Sequence, residues 1–489
     1  MQNLLSLIIF LPISAVVLMG LFQVSLKVLR VISLATSVLV FLLVSYLGLN
    51  FDPLQSMQFV EVLPWIESYG INYFVGVDAI SYILLFLVSL FIPMLFVFIW
   101  DEDRKGFFYN LLLLQTGVMG TLLSLDLILF YLFWEMMLLP IFIMIGAYGY
   151  GLRQANAMKI IMMTVLGSMT MLFSILYLGY LFFEDNGFWS FSLFGLSSMS
   201  FSSDISIILA AGFLLAFSIK IPLVGFHTWM APAYSSAPTP ALVILSAIMA
   251  KLGIYGLWRF GFTLFEGPLS YYAPLTITLS IVGILFYAIH AIMEKDLKRM
   301  FAFSSASHLS LITLGLFSIN IYSWSGSLYL VATHAISSAG IFLLIGMIGK
   351  RIKSIKISDL GGIATVAPKF AFFFAFFALS IAGIPGTGGF VAELLIIMGA
   401  FKYSFWVGVF AATTMISAIL FIFWMLQRTI YGKVSQKVAD GFYELSRVEL
   451  LLLLPLMLLL VLTGIFPSFF ISFFEPTLGM MLFQIGDIS

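Results

Sequence analysis

Two lysines lie near the middle of apolar runs that are long enough to cross a membrane. Lys220 lies in DISIILAAGFLLAFSIKIPLVGF, and Lys251 lies in PALVILSAIMAKLGIYGLW. A third run, LDLILFYLFWEMMLLPIFIMIGA, has Glu135 at its centre. An ionisable group at mid-bilayer costs at least ~2.5–3.5 kcal/mol, so it faces a polar interior and marks an ion or substrate path. Lys220 is six residues and Lys251 is seven residues from the nearer end of its run, or roughly 9–10 Å, which is too far for snorkelling. We therefore predict that these residues handle protons or other ions.

Composition places the chain among polytopic membrane proteins. Hydrophobic residues make up 62% of the chain and charged residues only 9%, whereas a soluble domain has about 25% charged residues. The absence of cysteine excludes disulfides, Cys-ligated iron–sulfur clusters and thiol redox chemistry. No nucleic-acid partner is expected, because no basic tail or interleaving of aromatic and basic residues suggests one; the zero net charge carries no information on this point. No Walker motif, HExxH motif or catalytic triad is found. The first apolar run lacks a basic n-region and a cleavage site, which predicts a retained helix.

Apolar runs of 18 or more residues predict an all-α polytopic fold of about fourteen transmembrane helices. The predicted helices are 4–22, 28–49, 78–100, 107–125, 127–148, 157–183, 205–226, 240–264, 274–293, 301–319, 324–349, 367–400, 405–431 and 448–474. The longest breaks, 50–77 and 184–204, are too short for a soluble domain.

Proline or glycine interrupts two of these predicted helices. The seventh reads SIKIPLVGFH, with Pro222 two residues after Lys220. The twelfth reads ALSIAGIPGTGGFVAELLIIMG, with Pro385 and four glycines ahead of Glu393. Proline removes a backbone donor, so carbonyl groups become free at membrane depth. Paired interrupted helices are a feature of transporters built from repeats, and they favour a transport path here.

The distribution of lysine and arginine predicts the orientation in the membrane. With both termini on the outer side, eighteen basic residues fall in inner loops, and only Arg259 and Lys402 remain outside. Basic residues are concentrated in inner loops of membrane proteins. The sequence therefore predicts an even number of helices and two outer termini.

Six residues are candidates for a proton pathway: Glu135, Lys220, Lys251, His308, His334 and Glu393. Removal from water disfavours the charged form of a lysine, and a nearby carboxylate favours it. A Glu135–Lys220 pair of variable separation would therefore act as an electrostatic switch, and we predict direct or one-water reach between them. We further predict that Glu393 lies in a hydrated cavity and is linked through His334 and waters to Lys251. The two remaining histidines, His227 and His290, are predicted to serve packing.

Six motifs resemble, in the same order, those of the antiporter-like subunits of respiratory complex I, the NADH–quinone oxidoreductase. They are FYLFWEMMLLP, SIKIPLVGFHTWMAPAYSSAPTP, AKLGIYGLWRF, EKDLKRMFAFSSASHLS, ATHAISSAG and GIPGTGGFVAEL, and the resemblance covers roughly residues 70–435. The M-type branch, also called chain 4, is the most similar. Glu393 stands where subunits L and N and Mrp-type antiporter subunits carry lysine, and the long C-terminal extension of subunit L is not expected. EKDLKR departs from the family's QKDLKR at its first residue only.

The resemblance implies a domain organisation with two inverted repeats. Residues 1–106 would form helices 1–3, 107–264 and 274–431 would form two inverted five-helix repeats, and 448–474 would form the last helix. It also implies residue roles. Glu135 and Lys220 would be the modulating pair and Lys251 the central relay. His308 and His334 would continue the hydrophilic axis, and Glu393 would face the outlet.

The family's biochemistry implies a translocating subunit without a redox site of its own. No cofactor is expected on this chain, because FMN, iron–sulfur clusters and quinone would bind to partner subunits. The expected partners are other membrane subunits, including L and N, within the lipid bilayer of the bacterial inner membrane. One alternative is a subunit of an Mrp-type antiporter or a membrane-bound hydrogenase, against which Glu393 argues. Another is a structural scaffold, which would gain nothing from burying so many ionisable groups.

Overall fold

A computed structural model describes residues 3–199, 202–484 and 486. The first part of the chain contains α1 (Leu4–Leu21), α2 (Leu26–Leu49), β1 (Gln58–Ile66), β2 (Ile71–Val77), α3 (Ala79–Phe98), α4 (Lys105–Leu123), α5 (Leu127–Met136), α6 (Leu138–Tyr148), α7 (Arg153–Asn186), α8 (Leu193–Ser197) and α9 (Ser203–Lys220). The rest contains α10 (Met230–Ser236), α11 (Thr239–Ile244), α12 (Ala250–Gly256), α13 (Glu266–Met293), α14 (Leu297–Phe317), α15 (Ile321–Ile352), α16 (Ile363–Val366), α17 (Pro368–Ile381), α18 (Gly388–Tyr403), α19 (Phe405–Thr429), α20 (Gln436–Gly441), α21 (Arg447–Ile465) and α22 (Pro467–Gln484).

Thirteen helical segments are long and apolar enough to cross a membrane, counted over the described residues. Each coincides with one predicted helix. The remaining predicted helix, 367–400, consists of the two shorter helices α17 and α18. The predicted 448–474 helix ends earlier than expected, because Pro467 begins α22 and disfavours helical geometry at the residue before it. The all-α membrane fold is thus confirmed, with differences at individual boundaries.

Helix breaks occur at the predicted places and at one further place. The helix α9 ends at Lys220, two residues before Pro222, and α17 ends seven residues before Gly388 starts α18. The additional break is at Met137, between α5 and α6. Pro140 has no N–H to donate to the carbonyl of Met136, so the helix is weakened there.

The chain divides into two compact units. Unit 1 contains the chain up to Lys220 together with Leu252–Tyr272, and unit 2 contains Ile221–Lys251 and Ala273–Leu482. The border lies within the helix Thr239–Phe262, which is inside the first predicted repeat. The inverted repeats therefore stay a prediction.

In unit 1, a β-hairpin that the sequence analysis did not predict packs beside α4 and α5. The strands β1 and β2 are antiparallel, and Leu125 N–H donates to Phe74 O at 2.8 Å. Asp126 caps α5 and also accepts from Asn72 N–H of β2 at 3.2 Å. Burial raises the pKa of Asp126 to about 6. This carboxyl group therefore joins the hairpin to the helix that carries Glu135.

In unit 2, α15 is the central helix and packs against α14, α17, α18 and α21. The helix α14 is buried along its length and carries buried Ser304, Ser305 and His308. The strongly apolar α21 is mostly exposed, since only 28% of its most apolar 18-residue stretch is buried. Polar helices thus lie inside and apolar helices outside, as expected where the solvent is lipid. Arg351 of α15 holds α21 through Glu449, with nitrogen–oxygen distances of 2.8 and 2.7 Å.

Arg259, one of the two basic residues predicted outside, forms a buried ion pair within unit 1. Its Nη2 lies 2.5 Å from Oδ2 of Asp78, whose other oxygen caps α3. The Arg259 Nε donates to the Tyr255 hydroxyl at 3.2 Å, and that hydroxyl donates to Leu122 O at 2.7 Å. The stretch that follows Lys251 is thereby attached to α3 and α4.

Replacement of Asp78 by Asn is expected to destabilise the protein by about 3–5 kcal/mol, because it leaves a buried guanidinium without its counterion. The double variant Asp78→Asn, Arg259→Gln should recover most of this loss, since neither charge remains. The measurement is the fraction of each protein variant that stays monodisperse after heating in detergent. Arg104→Gln, which breaks a half-exposed pair with Glu102, is the control and should change little. A double variant as unstable as Asp78→Asn would contradict the prediction.

Candidate functional site

Glu135 and Lys220 are both in unit 1 and both lie at helix ends. Glu135 is in the last turn of α5, beside Ser168 of α7, and its Oε1 is buried without a hydrogen-bond partner. Lys220 is the last residue of α9, where the carbonyl end of the helix favours a cation. Its side chain is 3% exposed, and its Nζ also has no hydrogen-bond partner. No direct hydrogen bond therefore joins the two, although their charges are close enough to attract each other.

The ammonium group of Lys220 lies over an aromatic ring. Its Nζ is 4.8 Å from the centroid of Trp134, the residue before Glu135. Phe130 and Phe217 pack around this indole, with centroid distances of 5.5 and 5.7 Å. Sequence analysis did not identify Trp134 as part of the site, although its position next to Glu135 was visible.

Lys251 of unit 2 is fully buried. It follows the π-helical stretch Leu245–Met249, and its Nζ donates to the carbonyl of Ser246. A π-helical turn is wider than an α-helical turn and is frequent at functional sites. The widened turn thus supplies a backbone acceptor to a lysine at membrane depth.

Two serine hydroxyls extend this contact to the next helix. Ser246 Oγ lies 3.2 Å from Ser305 Oγ of α14. Ser305 is three residues before His308, so their side chains are neighbours on one face of α14. Neither serine was singled out from the sequence, because serine within an apolar helix is common.

His308 and Glu393 face each other inside unit 2, and both are 1% exposed. The His308 Nδ1 is 2.8 Å from Ser304 O, which accepts only, so the proton of the neutral ring is on Nδ1. Nε2 then faces Glu393 Oε1 at 3.2 Å, within ion-pair distance but without hydrogen-bond alignment. A small rotation of either side chain would let one proton pass between them.

His334 lies beside His308, and its predicted part in a water-mediated link between Glu393 and Lys251 stays a prediction. Its ring is 5.1 Å from the ring of His308, and its Nδ1 is 3.2 Å from Ser338 Oγ. The sequence analysis linked Glu393 to Lys251 through His334, whereas the structure places His308 next to that carboxyl. The reason is the pairing of α14 with α18, which the sequence does not reveal.

The other two histidines lie among aromatic rings. His227 contacts Phe286 and Tyr287, with centroid distances of 5.2 and 5.3 Å. His290 lies 4.1 Å from the Phe286 ring, and its Nδ1 is 2.8 Å from Phe286 O. These contacts agree with the packing role predicted for both.

Lys298 was assigned to an inner loop but is 5% exposed at the start of α14. Its Nζ donates to Ala237 O at 2.8 Å, just before the helix that carries Lys251 begins. The sequence did not predict this burial, because Lys298 belongs to a charged motif that is typical of a loop.

Known proteins resemble this chain over nearly its whole length. Residues 124–419 match the family described as "NADH:quinone oxidoreductase/Mrp antiporter, TM". NADH-ubiquinone oxidoreductase chain 4 of Marchantia polymorpha is 31% identical and aligns over 96% of this chain and 95% of its own length. NADH-quinone oxidoreductase subunit M of Rhodobacter capsulatus is 30% identical over 99% and 97%, respectively. The chain belongs to this family. The matched residues of the family include all six candidates for the proton pathway.

A solved structure of the same family has the same fold. A chain of respiratory complex I from Thermus thermophilus superimposes with a TM-score of 0.90 at 26% identity, and the alignment covers 99% of this chain and 100% of that chain. The family resemblance inferred from the six motifs is therefore confirmed.

Replacement of Gly383 by alanine is expected to displace the Glu393 carboxyl. Gly383 has a φ of +67°, and an added Cβ would lie 2.8 Å from Glu393 Oε2. Gly386 is in the same break at a φ of +94° but has nothing within 4 Å of an added Cβ. Alanine at either position has a positive φ, which costs about 1–2 kcal/mol of backbone strain. Only Gly383→Ala also displaces the Glu393 carboxyl.

Proton translocation by membrane vesicles should thus fall further in Gly383→Ala than in Gly386→Ala at matched protein levels. Equal losses would mean that strain alone is responsible and that the contact with Glu393 is immaterial.

Proposed function

We propose that this chain is the proton-translocating membrane subunit of an NADH–quinone oxidoreductase, in which quinone reduction on partner subunits drives H⁺ across the membrane. The observation that carries the proposal has two parts. One unit holds a Glu–Lys pair without a joining hydrogen bond, and the other holds a buried series of Lys, Ser, His and Glu side chains on neighbouring helices. The relatives named chain 4 and subunit M favour this activity.

In unit 1, the separation of Glu135 and Lys220 sets the charge state of the lysine. The lysine holds its proton more tightly when the carboxylate approaches and releases it when the carboxylate moves away. Glu135 is half-buried and Lys220 is buried, so the charge of the lysine depends strongly on how close the carboxylate lies.

In unit 2, the proton moves from Lys251 towards Glu393. The ammonium of Lys251 contacts the Ser246 carbonyl, and the Ser246–Ser305 hydroxyl pair leads to His308. His308 passes the proton to Glu393 by reorientation, and His334 widens this polar region. Glu393 lies just after the break between α17 and α18, through which water would reach it.

The remaining biochemistry follows from this role. FMN, iron–sulfur clusters and quinone are proposed to bind to partner subunits, and subunits L and N are proposed as membrane neighbours. The chain would lie in the bacterial inner membrane. An Mrp-type antiporter subunit is the second candidate, because the family description includes such proteins.

Replacement of Glu135 by Gln is expected to reduce coupled proton pumping at least about tenfold, because the amide cannot modulate the charge of Lys220. Glu135→Asp keeps the charge and should be milder. The measurement is NADH-driven proton translocation and quinone reduction in inverted vesicles, with assembly checked on native gels. Glu61→Gln, in the β-hairpin, is the control and should retain pumping. A fully coupled Glu135→Gln variant would refute the proposal.

Both termini are proposed to lie on the outer side of the membrane. A phosphatase reporter fused to the C-terminus should therefore be active in the periplasm, whereas a fluorescent reporter that folds only in the cytoplasm should stay dark there. The same reporters inserted after Lys353, in a predicted inner loop, should give the opposite pattern. A fluorescent C-terminal fusion would reverse the proposed topology.

A further inference from the structure

The buried ammonium of Lys220 contacts an aromatic face. Its Nζ has no hydrogen-bond partner, lies 4.8 Å from the centroid of Trp134, and belongs to a side chain that is only 3% exposed. Trp134 itself is 1% exposed. An unpaired cation at such depth is costly unless another group attracts it.

The indole ring meets this requirement. Tryptophan is the best cation–π partner among the side chains, and the attraction is strongest where water is excluded. Phe130 and Phe217 pack around the indole and keep its orientation fixed. Trp134 and Glu135 are consecutive residues of α5, so one helix turn presents both a ring face and a carboxylate to the same lysine.

We propose that Trp134 provides a second position for the protonated Lys220 side chain. The ammonium moves between the carboxylate of Glu135 and the face of the indole, so the proton stays on the lysine while the ion pair is open. Trp134 is thus a positioning residue for the switch, and this inference rests on the proposed proton-pumping function. No bond is made or broken when the ammonium changes position.

Without the ring, opening of the ion pair would leave the cation in an apolar environment, and the lysine would lose its proton at once. With the ring, the lysine keeps its proton until the next group in the pathway can accept it. Weaker attraction by the ring should therefore lower coupling and rate together.

The test weakens the ring's attraction without changing its shape. Mono-, di- and trifluorinated tryptophan are incorporated site-specifically at position 134 of the assembled complex, since each fluorine weakens the negative potential of the ring face. We expect coupled proton translocation to fall stepwise, by roughly fivefold at the end of the series. Assembly on native gels should not change, because fluorine adds little volume.

Fluorinated phenylalanines at position 130 form the matched control. Phe130 contacts the indole and not the ammonium, so its series should show no trend. A flat or rising Trp134 series, or an equal trend at Phe130, would overturn the inference. Glu135→Gln is measured in the same vesicles. Loss of pumping there with a flat Trp134 series would reject the ring's role alone, whereas full pumping there would reject the proposed function.

Discussion

The cost of burying a charge in a chain surrounded by lipid determines most of this structure. Where the cost is offset completely, the pair is structural. Arg259 has Asp78 at 2.5 Å, and Arg351 binds both oxygens of Glu449. Where it is offset incompletely, the group remains able to change its charge or its partner. Lys220 has only the Trp134 ring and a carboxylate to which no hydrogen bond joins it. Completeness of pairing therefore separates residues that hold the fold from those proposed to move protons.

Irregular backbone accompanies four of the six candidate residues. Glu135 precedes the break at Met137, Lys220 ends α9, and Glu393 follows the break after α17. Lys251 follows a π-helical stretch and binds a carbonyl within it. A regular helix uses every carbonyl internally, so it offers a buried cation no acceptor. Helix breaks and wide turns thus leave backbone polar atoms available to side chains at membrane depth.

The sequence predicted the class of fold, thirteen of the helical segments and the breaks near Pro222 and Pro385, because apolar length and proline are local signals. It did not predict the β-hairpin, whose two strands lie in the break 50–77 between predicted helices. It selected the buried ionisable residues by type and depth. It did not predict their partners, such as Trp134, Ser305 and the contact between His308 and Glu393. These partners depend on which helices are neighbours, and local sequence patterns do not show which helices pack together.

The two units differ in what a proton would need in order to move. In unit 2, Ser246 lies 3.2 Å from Ser305, and His308 lies 3.2 Å from Glu393, so the proposed transfer within each pair needs only rotation of side chains. In unit 1, no hydrogen bond joins Glu135 to Lys220, so a charged side chain must be displaced. Displacement of a charge responds to electric fields from neighbouring subunits, whereas rotation of a neutral hydroxyl responds weakly. In the proposed mechanism, control of pumping would therefore fall to the Glu–Lys pair, and conduction would fall to the series that ends at Glu393.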